Sequence, residues 1–221
     1  MLFYYITDRR QFPGTDADQR HSLLAKIAEA AAAGVDLIQL REKDLSAGAL
    51  EQLAREVLVA IRQAGATTRL LINSRIDVAL ASGADGVHLT STDISPADVR
   101  AVVAQSAPGS APETRNFLVA VSCHSVEDVS LAESQGASFA ALAPIFGKVS
   151  TGAPGIGLSV LREATQRPPV SHRRPFPVFA LGGVTLANAL SCIDTGAAGI
   201  AAIRLFQQTN IAELVRQLRP E

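Results

Sequence analysis

Short apolar runs recur along the chain and alternate with longer segments in which apolar residues follow a helical spacing. Each run is rich in Val, Ile, Leu or Phe, which is typical of parallel strands buried on both faces. The predicted strands are Leu2–Thr7, Val35–Leu40, Leu70–Asn73, Gly86–Leu89, Phe117–Val121, Ser138–Leu142, Phe176–Leu181 and Gly199–Ile203. The clearest predicted helices are Ala47–Gln63 and Val126–Gln135, and Ile211–Leu218 is predicted as an eighth helix after the last strand.

Residues typical of helix ends stand at the boundaries of these segments. Ser46, Ser125 and Thr185 lie where N-caps belong, and Ser95-Pro96 combines an N-cap with a proline at the first helical position. Glycine is favoured in the left-handed position after a helix, and the candidates for that position are Gly34, Gly65, Gly83, Gly136 and Gly196.

Eight strands that alternate with eight helices fit either a doubly wound sheet or a closed barrel. No G-x-G-x-x-G follows the first run, which disfavours a dinucleotide-binding fold. The similar segments AAGVDLIQL, ASGADGVHL, SQGASFAAL and DTGAAGIAAI lead into strands two, four, six and eight, which favours a ring of equivalent units. The sequence therefore predicts one (β/α)8 TIM-barrel domain over residues 1–221. The polar segments Ala107–Asn116 and Gln166–Pro175 are expected to be surface insertions on the face opposite the chemistry.

Composition narrows the class of protein. Hydrophobic residues make up 48% and charged residues 19%, which is ordinary for a globular domain. Lysine and arginine number 20 against 21 acidic residues, so we expect no nucleic-acid partner. Cys123 and Cys192 have neither a disulfide framework nor metal-ligand spacing. The apolar runs are shorter than the roughly 20 residues that span a bilayer, and no signal peptide is recognised, so we expect a cytoplasmic protein without a membrane partner. The sequence leaves a homo-oligomer open.

In a barrel of this kind the chemistry lies just after each strand. Gln39, Arg41 and Lys43 alternate there, so they share one side if the strand stays extended, and the two cations predict a local anion site. A loop charge that only contacts solvent is the alternative. His124 ends the fifth strand beside hydroxyl residues and is the best acid/base candidate, whereas His88 is expected to be a structural barrel histidine.

The last strands carry a candidate phosphate site. Gly182-Gly183 and Arg204 follow strands seven and eight, the usual place for phosphate binding in such barrels, although a plain tight turn and a solvated arginine are the alternatives. The long segment Pro144–Gly157 carries Lys148 and Thr151 and suits a mobile lid, with a loop of no function as its alternative.

Several longer motifs follow one another over nearly the whole chain. They are YYITDRR, QLREKDL, LLINSRIDVALASGADGVHL, VAVSCHSVEDV, FAALAPIF, VFALGGVTLANA and GAAGIAAI. In this combination and order they resemble the thiamine phosphate synthase and TenI superfamily. The resemblance implies a (β/α)8 barrel and small phosphorylated pyrimidine and thiazole substrates. Synthases of this family join hydroxymethylpyrimidine diphosphate to thiazole phosphate and release pyrophosphate, whereas TenI members tautomerise a carboxythiazole phosphate or act as accessory proteins.

The resemblance also implies roles for single residues. Gln39, Arg41 and Lys43 match the segment that binds pyrimidine and diphosphate in the synthases. Ser122 matches a serine that contacts diphosphate, and His124 matches the acid/base histidine of the tautomerase.

The chain departs from the synthase pattern at several positions. Asn73 matches the first member of an Asn-Asp pair, but Ser74 stands in place of the aspartate that binds Mg²⁺, so that only Asp93 matches an acidic metal ligand. The lid lysine of the synthases is missing, and Lys148, at a displaced position, is the candidate to replace it. After strand eight, Arg204 replaces the usual serine.

The anion-binding cluster is intact, so we expect a synthase with a weakened Mg²⁺ site. Its catalytic residues would be Arg41, Lys43, Ser122 and His124. A TenI-like tautomerase that uses His124, and a non-catalytic barrel that binds thiamine intermediates, are the alternatives.

Overall fold

The computed structural model describes residues 1–106, 116–147, 154–170 and 175–219. In these ranges parallel strands β1 to β8 pair in chain order, and β8 pairs with β1, so that the sheet closes into a barrel. The strands are β1 Leu2–Ile6, β2 Leu37–Leu40, β3 Arg69–Asn73, β4 Gly86–Leu89, β5 Leu118–Cys123, β6 Phe139–Leu142, β7 Val178–Leu181 and β8 Gly199–Ala202. The predicted (β/α)8 barrel is confirmed, and every predicted strand overlaps an observed one.

Helices alternate with the strands and pack around the barrel. They are α1 Asp16–Ala32, α2 Ala47–Gln63, α3 Ile76–Ser82, α4 Pro96–Ser106, α5 Val126–Ser134, α6 Gly157–Gln166, α7 Ala189–Ile193, α8 Arg204–Gln207 and α9 Ile211–Leu218. The predicted bounds of α2 and α9 are the observed ones, and α5 ends one residue earlier than predicted. Within the described ranges, no helix has the length and apolar character needed to cross a membrane.

The predicted caps explain why these helices begin and end where they do. The hydroxyls of Ser46 and Ser125 each accept a hydrogen bond from the backbone N–H three residues later. Ser95 acts in the same way ahead of Pro96, since its Oγ accepts from the N–H of Asp98 at 3.2 Å. The five predicted glycines have φ between 63° and 97°, the left-handed conformation that a residue without Cβ adopts without strain.

Two expectations near the end of the chain are wrong in detail. Thr185 is not an N-cap, because α7 begins at Ala189 and Asn188 precedes it. The N–H of Thr185 instead donates to Asn188 Oδ1 at 2.8 Å, so this side chain closes a turn that delays the helix. Arg204 is not in a turn after β8 but is the first residue of the short helix α8.

Aromatic rings fill part of the barrel interior, and polar side chains lie next to them. Tyr4, Phe139 and Phe179 pack against one another inside the barrel with ring centroids 5.0 to 5.8 Å apart. Gly199 leaves room for them, because a Cβ there would lie 2.8 Å from Phe179 Cε1 and 2.1 Å from the carbonyl oxygen of Leu2. Hydrogen bonds link the Tyr4 hydroxyl to Gln39 and His88, and His88 to Ser122. Ile6, Leu181 and Ile203 pack against the same rings, so the rings form an apolar floor under a mouth of mixed polarity.

The tight fit at Gly199 gives a stability test. Gly199→Ala is expected to lower the free energy of unfolding by about 1–3 kcal/mol, because the added methyl overlaps β1 and a packed ring. Urea unfolding followed by circular dichroism measures the change. Gly48→Ala is the control: a Cβ there meets nothing within 4 Å, and alanine favours the helix, so stability should stay equal or rise slightly. Equal stabilities for the two variants would contradict the account of the packed interior.

Candidate active site

The predicted site residues that the structure describes follow different strands but gather at one end of the barrel, because parallel strands present all their C-terminal ends on the same face. Arg41, Asn73, Asp93 and Ser122 are half-buried there. Lys43, His124, Gly183 and Arg204 are exposed, and Gly182 is half-buried. Lys148 and Thr151 lie outside the described residues.

In the segment after β2, the acidic side chain of Glu42 points inward, whereas the basic side chains of Arg41 and Lys43 lie nearer to solvent. The backbone N–H of Arg41 donates to Thr7 Oγ1 at 2.9 Å, and the Thr7 hydroxyl donates to Glu42 Oε1 at 2.6 Å. Glu42 is therefore turned inward, where only 4% of it is exposed. Burial raises the pKa of Glu42 above its ordinary value, although hydrogen bonds from Thr7 and Arg9 act in the opposite direction. Arg41 and Lys43, on either side of Glu42, remain closer to solvent.

Arg9 holds this segment in place. Its guanidinium binds Asp44 through two hydrogen bonds of 2.7 and 2.8 Å, and it contacts Asp16 at 2.7 Å and Glu42 at 3.2 Å. Arg9 and Glu42 are nearly buried, whereas the side chains of Asp44 and Asp16 are 39% and 73% exposed. The hydrogen bond from Arg9 lowers the pKa of Asp44. A buried cation shared by three carboxylates fixes the backbone on both sides of Lys43.

Arg41 and Lys43 differ from Arg9 in having no such partners. Within the described ranges, no carboxylate oxygen lies within 4 Å of either side-chain cation. Two uncompensated positive charges at a concave mouth attract an anion locally even though the whole chain has net charge −1. This geometry supports the predicted anion site, which remains a prediction.

A hydrogen-bonded chain of side chains runs across the interior below this mouth. Gln39 Nε2 donates to the Tyr4 hydroxyl at 3.0 Å, and that hydroxyl contacts His88 Nδ1 at 2.9 Å. His88 Nε2 contacts Ser122 Oγ at 2.8 Å. Gln39 is thus 1% exposed and bound to protein, rather than wholly available to a ligand as expected from its alternation with Arg41. His88 is a buried barrel histidine, in agreement with the prediction, and burial lowers its pKa to about 3.

A second polar cluster follows β3 and β4. Asp93 Oδ2 accepts hydrogen bonds from Ser74 Oγ at 2.7 Å, from the Thr90 N–H at 2.6 Å and from the Thr90 hydroxyl at 2.9 Å. Asn73 Nδ2 donates to Ser74 Oγ at 3.0 Å. Ser74 has φ 60°, an uncommon conformation in which Asn and Asp are enriched among residues other than glycine.

The oxygen atoms around Asp93 do not form a suitable set of ligands for Mg²⁺. This ion prefers six oxygen ligands and is bound in proteins mainly through carboxylates. One Asp93 oxygen is already saturated by three hydrogen bonds, and the neighbouring Ser74 offers a hydroxyl in place of a carboxylate. Among the described residues, no group of three or more His, Cys, Asp and Glu side chains is placed to hold a metal. The side chains present here therefore do not form a magnesium site by themselves.

His124 is held in a defined orientation at the end of β5. Its Nδ1 lies 2.8 Å from the carbonyl oxygen of Ala143, and its backbone N–H donates to Asp128 Oδ2 at 2.8 Å. Because a carbonyl oxygen can only accept, Nδ1 must carry a hydrogen. In the neutral imidazole Nε2 is then the unprotonated nitrogen, which is the form of a general base.

Gly182 and Gly183 allow two loops to pack closely. A Cβ on Gly182 would lie 2.7 Å from Pro144 Cα, and one on Gly183 would lie 2.7 Å from Phe146 Cβ. The N–H of Phe146 donates to the Gly182 carbonyl oxygen at 2.9 Å. Within the described part of the chain, the N–H groups of the two glycines donate to no backbone acceptor. The pair therefore supports the start of the loop after β6 and still leaves donors of the kind that bind phosphate.

The sequence places Thr7, Arg9 and Glu42 just after strands, but they were given no role in the site, and Tyr4 was missed altogether. One signal was present, since Tyr4 places a hydroxyl in an otherwise apolar buried strand and a buried hydroxyl needs a partner. A cavity of about 210 Å³ also opens between the loop after β4 and helix α5, and Asp93 and Ser122 line it. No local pattern in the sequence indicated this opening.

Known proteins resemble this chain along most of its length. The family model described as thiamine monophosphate synthase, TMP-TENI, matches residues 3–206. The chain is 36% identical to the thiamine-phosphate synthase of Methanoculleus marisnigri over 219 residues, which are 98% of this chain and 92% of that protein. It is also 36% identical to the thiamine-phosphate synthase of Roseiflexus castenholzii over 205 residues, 91% of this chain and 79% of that protein. The structure of thiamine phosphate pyrophosphorylase from Pyrococcus furiosus matches with a TM-score of 0.76 and 27% identity, covering 99% of this chain and 93% of that one.

The ion network around Arg9 gives a first prediction for this site. Arg9→Met should lower the free energy of unfolding by about 3–5 kcal/mol, because the nearly buried Glu42 carboxylate loses its cation. Denaturant unfolding measures the loss, and adding Glu42→Gln should recover part of it. Arg55→Met is the control, since Arg55 pairs with Glu51 on the surface and should cost less than about 1 kcal/mol. A similarly small loss for Arg9→Met would show that the network does not hold the segment.

The cluster around Asp93 gives a second prediction. Ser74→Asp should strengthen Mg²⁺ binding in the presence of pyrophosphate by about 10- to 100-fold, the range over which a metal site responds to one changed partner. Isothermal titration calorimetry measures the affinity. Ser74→Asn suits the same backbone conformation without adding charge and should leave the affinity nearly unchanged. An unchanged affinity in Ser74→Asp would show that the missing carboxylate does not limit metal binding.

Proposed function

The chain belongs to the thiamine monophosphate synthase family, and from this we propose that it couples hydroxymethylpyrimidine diphosphate to thiazole phosphate, forming thiamine phosphate and pyrophosphate. One observation carries the proposal beyond family membership. Arg41 and Lys43, the two cations proposed to stabilise a departing pyrophosphate, stand at the mouth with no carboxylate partner among the residues that the structure describes. They lie on a segment that the Arg9 network holds in place.

The chemistry explains why these charges matter. As the bond between the pyrimidine methylene and the diphosphate breaks, negative charge accumulates on the leaving group while the methylene becomes cation-like. Arg41 and Lys43 would stabilise that charge, and they need no rearrangement at the moment of reaction because Glu42 and Asp44 between and beside them are bound to Arg9. Ser122 would donate to the same diphosphate from the adjacent wall of the mouth.

The second substrate requires an anchor for its phosphate. The N–H groups of Gly182 and Gly183 and the side chain of Arg204 are proposed to bind it at the ends of β7 and β8. Binding at that position would orient the thiazole nitrogen toward the pyrimidine methylene, and such orientation contributes strongly to reactions between two bound molecules. Lys148 and Thr151 are proposed to contact the phosphorylated substrates from the loop after β6.

Mg²⁺ would be bound mainly by the substrates in this proposal. Asp93 is the one residue proposed to contact the ion, and the remaining ligands would have to come from substrate phosphates. No step of the proposed reaction depends on a metal bound by the protein alone.

A TenI-like tautomerase is the second candidate, and one observation favours it. The hydrogen bond from His124 Nδ1 to the Ala143 carbonyl leaves Nε2 as a base, ready to move a carbon-bound proton. A tautomerase needs only this base and a phosphate anchor, so it tolerates the loss of the second acidic residue at Ser74. A barrel that binds thiamine intermediates without catalysis is the remaining alternative.

Two substitutions separate these candidates. Lys43→Ala should reduce the turnover of the coupling reaction by about 100- to 1,000-fold, because a donor that stabilises the leaving group is lost. His124→Asn should affect coupling less, because no carbon-bound proton moves. For a tautomerase the order reverses, and His124→Asn should cost about 100- to 10,000-fold. Both rates are measured with both purified variants, and circular dichroism checks the fold.

The control for Lys43→Ala is Arg62→Ala. It removes the same charge from the last turn of α2, at the opposite end of the barrel, and should leave coupling unchanged. An active synthase that tolerates Lys43→Ala would show that the diphosphate binds elsewhere. If the unaltered protein performs neither reaction above background, both enzymatic candidates fail and the non-catalytic barrel remains.

A further inference from the structure

The chain of hydrogen bonds across the barrel has a direction that follows from its atoms. It joins Gln39, Tyr4, His88 and Ser122 through contacts of 3.0, 2.9 and 2.8 Å. Gln39, Tyr4 and His88 are at most 2% exposed, so water does not compete for these contacts, whereas Ser122 is half-buried and lines the cavity between the loop after β4 and α5. The hydrogen bond that Gln39 makes at the buried end therefore determines whether Ser122, at the open end, can donate or only accept.

The hydrogen that Gln39 donates determines where the hydrogens of Tyr4 and His88 lie. The Gln39 Nε2 amide can only donate, so the Tyr4 oxygen accepts from it and the single Tyr4 hydrogen is directed to His88 Nδ1. His88 Nδ1 must then be the unprotonated nitrogen. Because burial lowers the pKa of His88 to about 3, the ring is neutral and carries its one hydrogen on Nε2.

In the contact between His88 and Ser122, only one choice of donor and acceptor then remains. His88 Nε2 donates to Ser122 Oγ, so the serine accepts from below and its own hydrogen is not used within the chain. We propose that Tyr4, held by Gln39, fixes the Nε2–H tautomer of His88 and thereby makes Ser122 a hydrogen-bond donor toward an anionic phosphate oxygen at the mouth. Tyr4 and His88 are positioning residues in this arrangement and do not touch the ligand.

The opposite order of hydrogens would have the opposite effect. If the Gln39 amide presented its oxygen to Tyr4, His88 would carry its hydrogen on Nδ1 and Ser122 would donate to His88. Ser122 would then show only lone pairs to a ligand rich in negative charge, which is repulsive. The proposal rests on the proposed function in one respect, that the anion at Ser122 is a diphosphate.

The tautomer can be measured without any substrate. The chain has four histidines, so ¹⁵N-labelled histidine gives a small set of ring signals, and the signal lost in His88→Gln identifies His88. We expect a protonated Nε2 and an unprotonated Nδ1 in the unaltered protein at neutral pH. A hydrogen on Nδ1 in that spectrum overturns the proposal, whatever the enzyme's activity.

Tyr4→Phe tests the role of the hydroxyl while keeping the ring in the apolar floor. His88 should lose its single tautomer and show a mixture or the Nδ1–H form. Tyr5→Phe is the matched control, because the adjacent Tyr5 hydroxyl is also buried and has no hydrogen-bond partner among the described residues. It should leave the His88 signals unchanged. If Tyr4→Phe folds and His88 keeps the same tautomer, the proposed role of Tyr4 is overturned. If this variant does not fold, the spectrum of the unaltered protein still tests the proposed order of hydrogens.

Calorimetry with pyrophosphate connects the tautomer to binding. Tyr4→Phe should weaken binding by about 10- to 100-fold, the effect of losing one hydrogen bond to a charged group. Ser122→Ala should weaken pyrophosphate binding similarly. Adding Tyr4→Phe to Ser122→Ala should then cause little further loss of affinity, whereas a merely structural role of Tyr4 would produce a further loss. Additive losses, or full affinity in Tyr4→Phe, overturn the proposal. Failure of the coupling reaction alone would refute the proposed function and leave these two measurements intact.

Discussion

Pairing of β8 with β1 closes the sheet, and the rest of the site depends on this closure. In a closed parallel barrel every second side chain points into a narrow interior, and all strands end on the same rim. Residues as distant in the chain as Arg41 and Arg204 therefore share one mouth, and residues such as Tyr4 and His88 meet inside it. Closure also excludes water from the interior, which makes hydrogen bonds there strong enough to order one another.

The protein uses its cations at this mouth in two different ways. Arg9 is buried among three carboxylates and fixes a loop, so its charge is neutralised. Arg41 and Lys43 have no carboxylate partners within the described ranges and leave positive potential for a ligand. The net charge near zero does not reveal this local positive potential, because Glu42 and Asp44, the acidic residues next to Arg41 and Lys43, are paired with Arg9.

The cluster at Asp93 is stabilised by hydrogen bonds among its own side chains and backbone. Ser74 gives its hydroxyl hydrogen to Asp93 where a second carboxylate would repel it, so the two residues stabilise each other without a cation. The left-handed backbone at Ser74 still suits an aspartate. A tautomerase needs no second carboxylate at this position, and for that reason it is proposed beside the synthase.

The sequence by itself determined the features that depend on near neighbours. Periodicity and caps predicted the bounds of α2 and α9, and glycines after helices predicted the left-handed positions, because these signals act over a few residues. The positions after each strand predicted that Arg41, Asp93, Ser122 and His124 lie at one end of the barrel, whereas the alternation in the QLREK motif did not predict that Gln39 is buried and bound to Tyr4. Only the tertiary structure decided how they are held: that Arg9 binds Asp44, that Gly182 touches Pro144, and that Tyr4 orders a histidine 84 positions away. Such contacts follow from the register of a closed barrel, and no local pattern of residues encodes which side chains that register brings face to face.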